Sequence, residues 1–314
     1  MRNFAPSGVL ALLLLAGCTR DAAVPATDTA RPSEPAPARV PRPQARVTGW
    51  NEEAGPLMVV SDSTPDAAVV VVPDATEEGV GEGLEAASGA RGVRLDLFSR
   101  AGRVGGAVVT SVATLPGAAA DTTPSADDAC TAWPAASLRF EGAPPPWGVG
   151  FPAGRATAVP MDSVDAWPVA DSSRAVATVA RIASALPGDT ATEFRGLPFN
   201  VTDLWRLRHG DSEILVAKVL RRIGQEANPR EQHLLLVLER DASGGYAPTF
   251  VERTSGHEET VETFDVLAAV TIGPARTLTL VLSRDTDAGG VFVLLERTGA
   301  RVWRARWTSA YAGC

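Results

Sequence analysis

The chain is short of the residues that most often do chemistry. It has three histidines (His209, His233, His257), three cysteines (Cys18, Cys130, Cys314) and a single lysine, Lys218, in 314 residues. With no His–Glu–x–x–His pairing and no ligand spacing among the histidines, a zincin-type metal centre is excluded. No Gly-x-Ser-x-Gly elbow, Ser-x-x-Lys pair, phosphate-binding Walker loop or dinucleotide fingerprint is present, so the common hydrolase and nucleotide-binding motifs are missing too. The net charge is −8, which argues against nonspecific nucleic-acid binding. After the first residues, no segment of membrane-spanning length is free of charge and proline. The scarcity of lysine beside abundant Arg, Ala, Gly and Pro has the character of GC-rich coding and carries no functional meaning.

The informative part of the sequence is its start. Arg2 gives a positive head, Val9 to Ala16 an apolar run, and Leu15-Ala16-Gly17-Cys18 closes it. The run is far shorter than the roughly 20 residues of a permanent transmembrane helix. This tetrapeptide resembles the lipobox of bacterial lipoproteins. The resemblance covers residues 1–18 alone and implies a diacylglyceryl group on the Cys18 sulfur, cleavage between Gly17 and Cys18, and acylation of the new amino terminus. It implies an exported protein held in the cell envelope by its lipid. Thr19 stands where an Asp would favour the inner membrane, so the resemblance points to the outer membrane. Residues 19–46 hold six prolines and no aromatic residue, a composition that cannot bury enough apolar surface to order itself. They are expected to form a disordered tether that reaches on the order of 85 Å when stretched.

About 270 residues remain, enough for one large or two small domains. Once Cys18 is assigned to lipid, Cys130 and Cys314 form an even pair in an oxidising compartment and are expected to make a disulfide. Charge is uneven. From Val47 to Cys130 there are 13 acidic and 4 basic residues, while from Val201 onward there are 15 and 14. An acidic front part of this kind most often serves as a solvated face.

The patterning predicts a mainly β fold of antiparallel sheets or a meander, with at least one helix. Pro56–Ser61, Ala67–Pro73, Val93–Ser99, Ala107–Val112 and Ala136–Phe140 read as short strands between Gly, Pro and Asp. The stretch 114–129 turns to Ala, Thr, Pro and Asp and is expected to link an acidic β-rich unit (47–113) to a second β-rich unit (130–314). A helix is expected over 171–186, capped by Asp171, with Val176, Val179, Ile182 and Leu186 on one face and Pro187-Gly188 at its end. From Phe199 on, the alternation of Trp205 and Leu207 with Arg206 and Arg208, and of Trp303 and Trp307 with Arg304 and Arg306, predicts sheets with one buried and one wet face. Leu236–Asp241 and Leu280–Asp285 are similar at an offset of 44, as are Glu252-Arg253-Thr254 and Glu296-Arg297-Thr298. Each copy reads as a hairpin. The period is also that of a β-propeller blade, which leaves a partial propeller as the alternative fold.

Three local candidates for chemistry remain. Asp285, Asp287 and Glu296 occupy positions one, three and twelve of a near-match to a calcium loop, although position five is Gly289. His257-Glu258-Glu259, with Glu262 and Asp265, is an acidic cluster with one imidazole, and the plainer reading is a solvated loop. Arg206, Arg208, Arg221, Arg222, Arg304 and Arg306 alternate with Trp205, Trp303 and Trp307, which suits either a glycan-binding face or core tryptophans with outward arginines. The reading that follows is a lipid-anchored envelope protein of binding or structural role, with no catalytic residue identified and no cofactor unless calcium binds. Its partners would be the membrane, through Cys18, and a protein or glycan. The alternatives are an envelope hydrolase and a calcium-dependent, propeller-like adhesion module.

Overall fold

The structure is a computed structural model, and it describes residues 49–61, 67–73, 87–114, 133–187, 192–224, 229–241, 243–286 and 289–313. Cys18, Cys130, Cys314 and Asp287 lie outside the described residues, so the lipid site, the expected disulfide and the middle calcium ligand fall there. No helix among the described residues is long and apolar enough to cross a membrane.

The fold is mainly β and antiparallel, as the patterning predicts. Six strands close into a barrel: β1 (Met58–Ser61), β2 (Ala67–Val71), β3 (Arg94–Ser99), β4 (Gly102–Thr114), β5 (Pro134–Phe140) and β6 (Val149–Pro152), in the order β1-β2-β5-β4-β3-β6. The interior is filled by Val59, Val70, Leu97, Val149 and Phe151, and Phe98 meets Phe151 edge to face with centroids 6.3 Å apart. Closure depends on Gly150. A Cβ there would stand 2.7 Å from Val59 and 2.9 Å from Leu97, so only glycine lets β6 fit between β1 and β3. The boundary expected at 114–129 falls inside this barrel, because β4 and β5, which flank it, are hydrogen-bonded neighbours. The chain leaves the barrel only after Pro152.

Two short strands follow, β7 (Ala156–Ala158) and β8 (Asp162–Ser163), and then the helix α1 (Val169–Ser184). The helix begins two residues before the expected position. Its N-cap is Pro168, which makes no side-chain cap, and Asp171 sits in the first turn instead. β8 opens a five-stranded sheet with β9 (Asn200–His209), β10 (Ser212–Ile223), β11 (Arg230–Arg240) and β12 (Tyr246–His257). β7 opens the second sheet, with β13 (Thr263–Ile272), β14 (Thr277–Thr286), β15 (Gly289–Gly299) and β16 (Val302–Thr308).

These parts stack as layers. Along β10 and β11, Ile214, Val216, Leu235 and Val237 face the second sheet, where they meet Ala269, Leu280, Leu282 and Leu295. The alternate residues Leu215, Ala217, Leu234 and Leu236 face Val179 and Ala183 of α1. The second sheet turns Ala268, Val270, Val281 and Leu294 the other way, into the barrel core. The order is therefore barrel, β13–β16 sheet, β9–β12 sheet, helix. The central strands β10, β11, β13 and β14 are covered on both faces, which corrects the expectation of one wet face there, while the edge strands β12 and β16 keep exposed residues. The unbroken run Leu234–Leu238, buried throughout, is the local sign of it.

The 44-residue repeat is real at the level of hairpins but not of blades. It matches β11–β12 with β14–β15, the fourth and fifth strands of one sheet with the third and fourth of the other. The two meanders pack face to face, yet the helix covers one outer face and the barrel the other. The stack ends at two sheets, with no ring of blades.

Candidate functional site

An open concavity that gathers charged groups of both sides lies where the barrel meets the β13–β16 sheet. It is an open cleft of ≈ 450 Å³ lined by Ser61, Ser99, Arg100, Trp147, Asp265 and Leu267, among others. The barrel and the sheet share one core here, through Ala268, Val270, Val281 and Leu294, and the cleft opens at the rim of that junction with a volume in the range of ligand sites. The close approach that forms it depends on Gly148, whose Cβ would stand 2.9 Å from the carbonyl oxygen of Leu267. Trp147, 8 % exposed, is held against the barrel core beside it.

Arg100 is the central group. It sits in the turn between β3 and β4 and reaches from the barrel to both sheets. Its Nη1 donates to Asp265 Oδ1 at 3.1 Å and to the Val266 carbonyl at 3.1 Å, both on β13. Its guanidinium lies 5.2 Å from the ring centroid of Trp205 on β9, a cation–π distance. Asp265 also pairs with Lys218 Nζ at 3.5 Å, and Lys218 pairs with Asp203 at 3.4 Å. The only lysine of the chain thus closes a chain of alternating charges, Arg100–Asp265–Lys218–Asp203, at the cleft margin. Arginine carries five N–H donors. Among the described residues only those on Nη1 are used here, while Nε and Nη2 have no partner.

The residues singled out from sequence go elsewhere. Asp285 pairs in register with Gly290, and Glu296 pairs with Thr279, six residues further along β15. At about 3.4 Å per residue the two carboxylates are separated by roughly 20 Å of strand, so the structure does not bring them together as ligands of one ion. Glu296 instead accepts from Asn51 Nδ2 at 3.0 Å. Burial, with Asp265 and Glu262 nearby, pushes the Asp285 carboxyl up despite a hydrogen bond to Ser283. The acidic cluster is likewise dispersed: Glu258 pairs with Arg222 at 2.8 Å, Glu262 with Arg284 at 2.6 Å, and Asp265 with Arg100. Among the described residues no three His, Cys, Asp or Glu side chains are grouped to hold a metal.

The arginine–tryptophan pattern resolves into core tryptophans. Trp205, Trp303 and Trp307 are 4 %, 6 % and 1 % exposed. Arg206 stacks on Trp167 at 4.4 Å, Arg208 pairs with Glu213, and Arg222 pairs with Glu231 and Glu258. Arg221 is buried, donating to Gln232 Oε1 at 2.9 Å and to the Phe194 carbonyl at 3.0 Å. Arg304 and Arg306 remain exposed on β16. The histidines are scattered: His233 Nε2 lies 2.7 Å from Glu231, His257 ends β12, and His209 ends β9, where burial and then Arg297 and Arg276 hold its pKa down.

Sequence reasoning missed the cleft because Arg100 and Asp265 are 165 positions apart. The one local sign was the rigid Pro144-Pro145-Pro146-Trp147-Gly148 loop, which forms one wall. In comparisons with known families, with curated proteins and with solved structures, nothing matches this chain.

Proposed function

We propose that the chain is a lipid-anchored protein of the bacterial envelope that works by binding, and that its ligand site is the cleft at Arg100. The anchor reading rests on Leu15-Ala16-Gly17-Cys18 after a short apolar run, with Thr19 favouring the outer membrane. The binding reading is carried by one observation. Arg100 is fixed on one nitrogen and braced over Trp205, while Nε and Nη2 have no partner among the described residues and lie at a cleft lined by Trp147, Ser61 and Ser99. A guanidinium so held loses little freedom on pairing with a planar anion, and carboxylates suit its fork. The class of ligand is therefore an acidic group on an envelope glycan or peptide, with Trp147 offering an apolar face.

Two measurements test this. Mass spectrometry of the protein purified from membranes should show a diacylglyceryl Cys18 as first residue, and an unmodified Cys18 removes the anchor. Nitrogen-15 spectra titrated with glucuronate and with glutarate should shift Arg100 Nε–H and the Gly148 and Leu267 amides, with the shifts lost in Arg100→Gln. Equal shifts in that variant would sink the cleft reading.

A further inference from the structure

The end of the β13–β16 sheet where the tether joins the fold carries an unusual set of arginines. Alternate turns of a meander share one end, so the β13–β14 turn (273–276) and the β15–β16 turn (300–301) lie together. The segment that follows the tether is fastened at this same end. Trp50 packs edge to face on Trp307 with centroids 4.6 Å apart, Asn51 donates to Glu296, and the Glu53 side chain covers Gly273 so closely that a Cβ there would collide with it.

Arg276 and Arg301 occupy the two turns, and Arg304 and Arg306 continue along the edge strand β16. All four are exposed, and none of their side chains has a hydrogen-bond or salt-bridge partner among the described residues. Elsewhere most arginines of the sandwich are paired: Arg222, Arg230, Arg240, Arg284 and Arg297 each hold a carboxylate. Arg276 and Arg301 have φ of 52° and 60° and are the only non-glycine residues with positive φ among those described. Asn or Gly would take that conformation more cheaply. Keeping arginine there, with no salt bridge among the described residues, on a chain of net charge −8, points to a use for the side chains. Val302, 42 % exposed between them, adds an apolar residue to the same edge. The lead-in contributes two opposing charges, Glu52 and Glu53, against the four arginines. Asp241, whose carboxyl is held low chiefly by its bond to Ser243, also feels Arg301.

We propose that this end of the sheet is a docking surface for an anionic phospholipid bilayer, which orients the domain on the membrane that its tether reaches. The inference rests on the lipid-anchor reading for its biological setting, but the surface itself is tested without the lipid. Two arguments select this occupant. The chain preceding Gly49 joins the fold at this surface, and its second half, 25–48, holds Arg31, Arg39, Arg42 and Arg46 against Asp28 and Glu34. The cationic edge is complementary to phosphate headgroups, which attract basic residues within about one Debye length.

The test uses the full chain with Cys18→Ser, which has no sulfur to acylate, and flotation with vesicles of phosphatidylcholine with or without phosphatidylglycerol. The expected result is an increment of binding on adding phosphatidylglycerol, reduced by on the order of tenfold or more in Arg276→Gln/Arg301→Asn/Arg304→Gln and by raised salt. A control triple on the far side, Arg174→Gln/Arg181→Gln/Arg195→Gln, should keep the increment, and both triples should keep the parent's melting transition. Equal loss in the two triples, an increment unaffected by the first, or equal binding to uncharged vesicles each overturns the proposal. An unmodified Cys18 would defeat the anchor reading and leave this result standing.

Discussion

The barrel and the sandwich of two sheets solve the same problem by different means. Among the described residues of the barrel strands no charged, amide or hydroxyl side chain is buried. Its register is imposed by closure: every strand has two neighbours, and a slip in one breaks the ring. The sandwich has free edges at β12 and β16, and its two sheets meet through aliphatic side chains that would tolerate sliding. All the buried polar side chains of the described fold are here, including Glu231, Gln232, Glu239 and Glu296. Glu239 on β11 is 2 % exposed and accepts from Arg297 on β15, at 3.1 and 2.8 Å, and from Trp303 Nε1 on β16, at 2.6 Å. Arg297 also donates to Ser212 Oγ at 2.9 Å. These bonds cross between the sheets and are satisfied in only one alignment. Where geometry cannot close, directional polar contacts set the register.

The largest expected effect breaks that contrast at its polar side. Arg297→Ala strands the Glu239 carboxylate in the interior and should cost about 3–5 kcal/mol in urea unfolding. The double change Glu239→Met/Arg297→Met should recover most of the loss while broadening the amide spectrum of the sandwich. Recovery with an unchanged spectrum would show that the pair contributes stability but not register.

A smaller effect is expected on the apolar side. Gly150→Ala should cost about 1–3 kcal/mol, because the new methyl meets Val59 and Leu97 inside the ring. Adding Val59→Ala should return part of it. A Gly150→Ala protein as stable as the parent would mean that the barrel is not held by closure at β6.

The smallest effect concerns Glu252, whose pKa burial raises, with Arg284 opposing and Glu262 reinforcing. The native state holds this proton more tightly than the unfolded chain does. Its contribution is therefore full below the ordinary carboxylate range and is lost as pH climbs through the raised value. Glu252→Gln should stabilise slightly at neutral pH, by no more than about 1 kcal/mol, and flatten the pH dependence of the melting temperature on the acid side. Arg284 keeps Glu262 as its partner at 2.6 Å. A Glu252→Gln variant that melts lower than the parent at neutral pH would reverse the sign.

Much of the secondary structure was legible, and little of its assembly. Val93–Ser99 and Ala136–Phe140 sit within a residue or two of β3 and β5, and the helix is displaced by two residues. Alternation and turn residues are local signals, so they survive without tertiary information. What was lost is non-local. The proline- and aspartate-rich stretch after Thr114 reads as a domain boundary, yet β4 and β5 on either side of it are paired in one barrel, and composition does not show which strands pair. The alternation read over Trp303–Trp307 is broken by a register shift between β15 and β16, which leaves Trp303 in the core between the sheets and Trp307 in the barrel core. Asp285 and Glu296 had ligand spacing in sequence, but in an extended hairpin that spacing becomes distance, whereas a loop would have folded it into a shell.

The fastening of Trp50 and Asn51 has a mechanical consequence. If the chain is pulled from its amino-terminal side, tension arrives at Trp307 and Glu296 before it reaches β1. The load is shared with β15 and β16, near the opposite terminus of the chain, and the first barrel strand is shielded from peeling. The barrel, which has no loose edge to unzip, hangs behind a strain relief made of one indole pair and one amide.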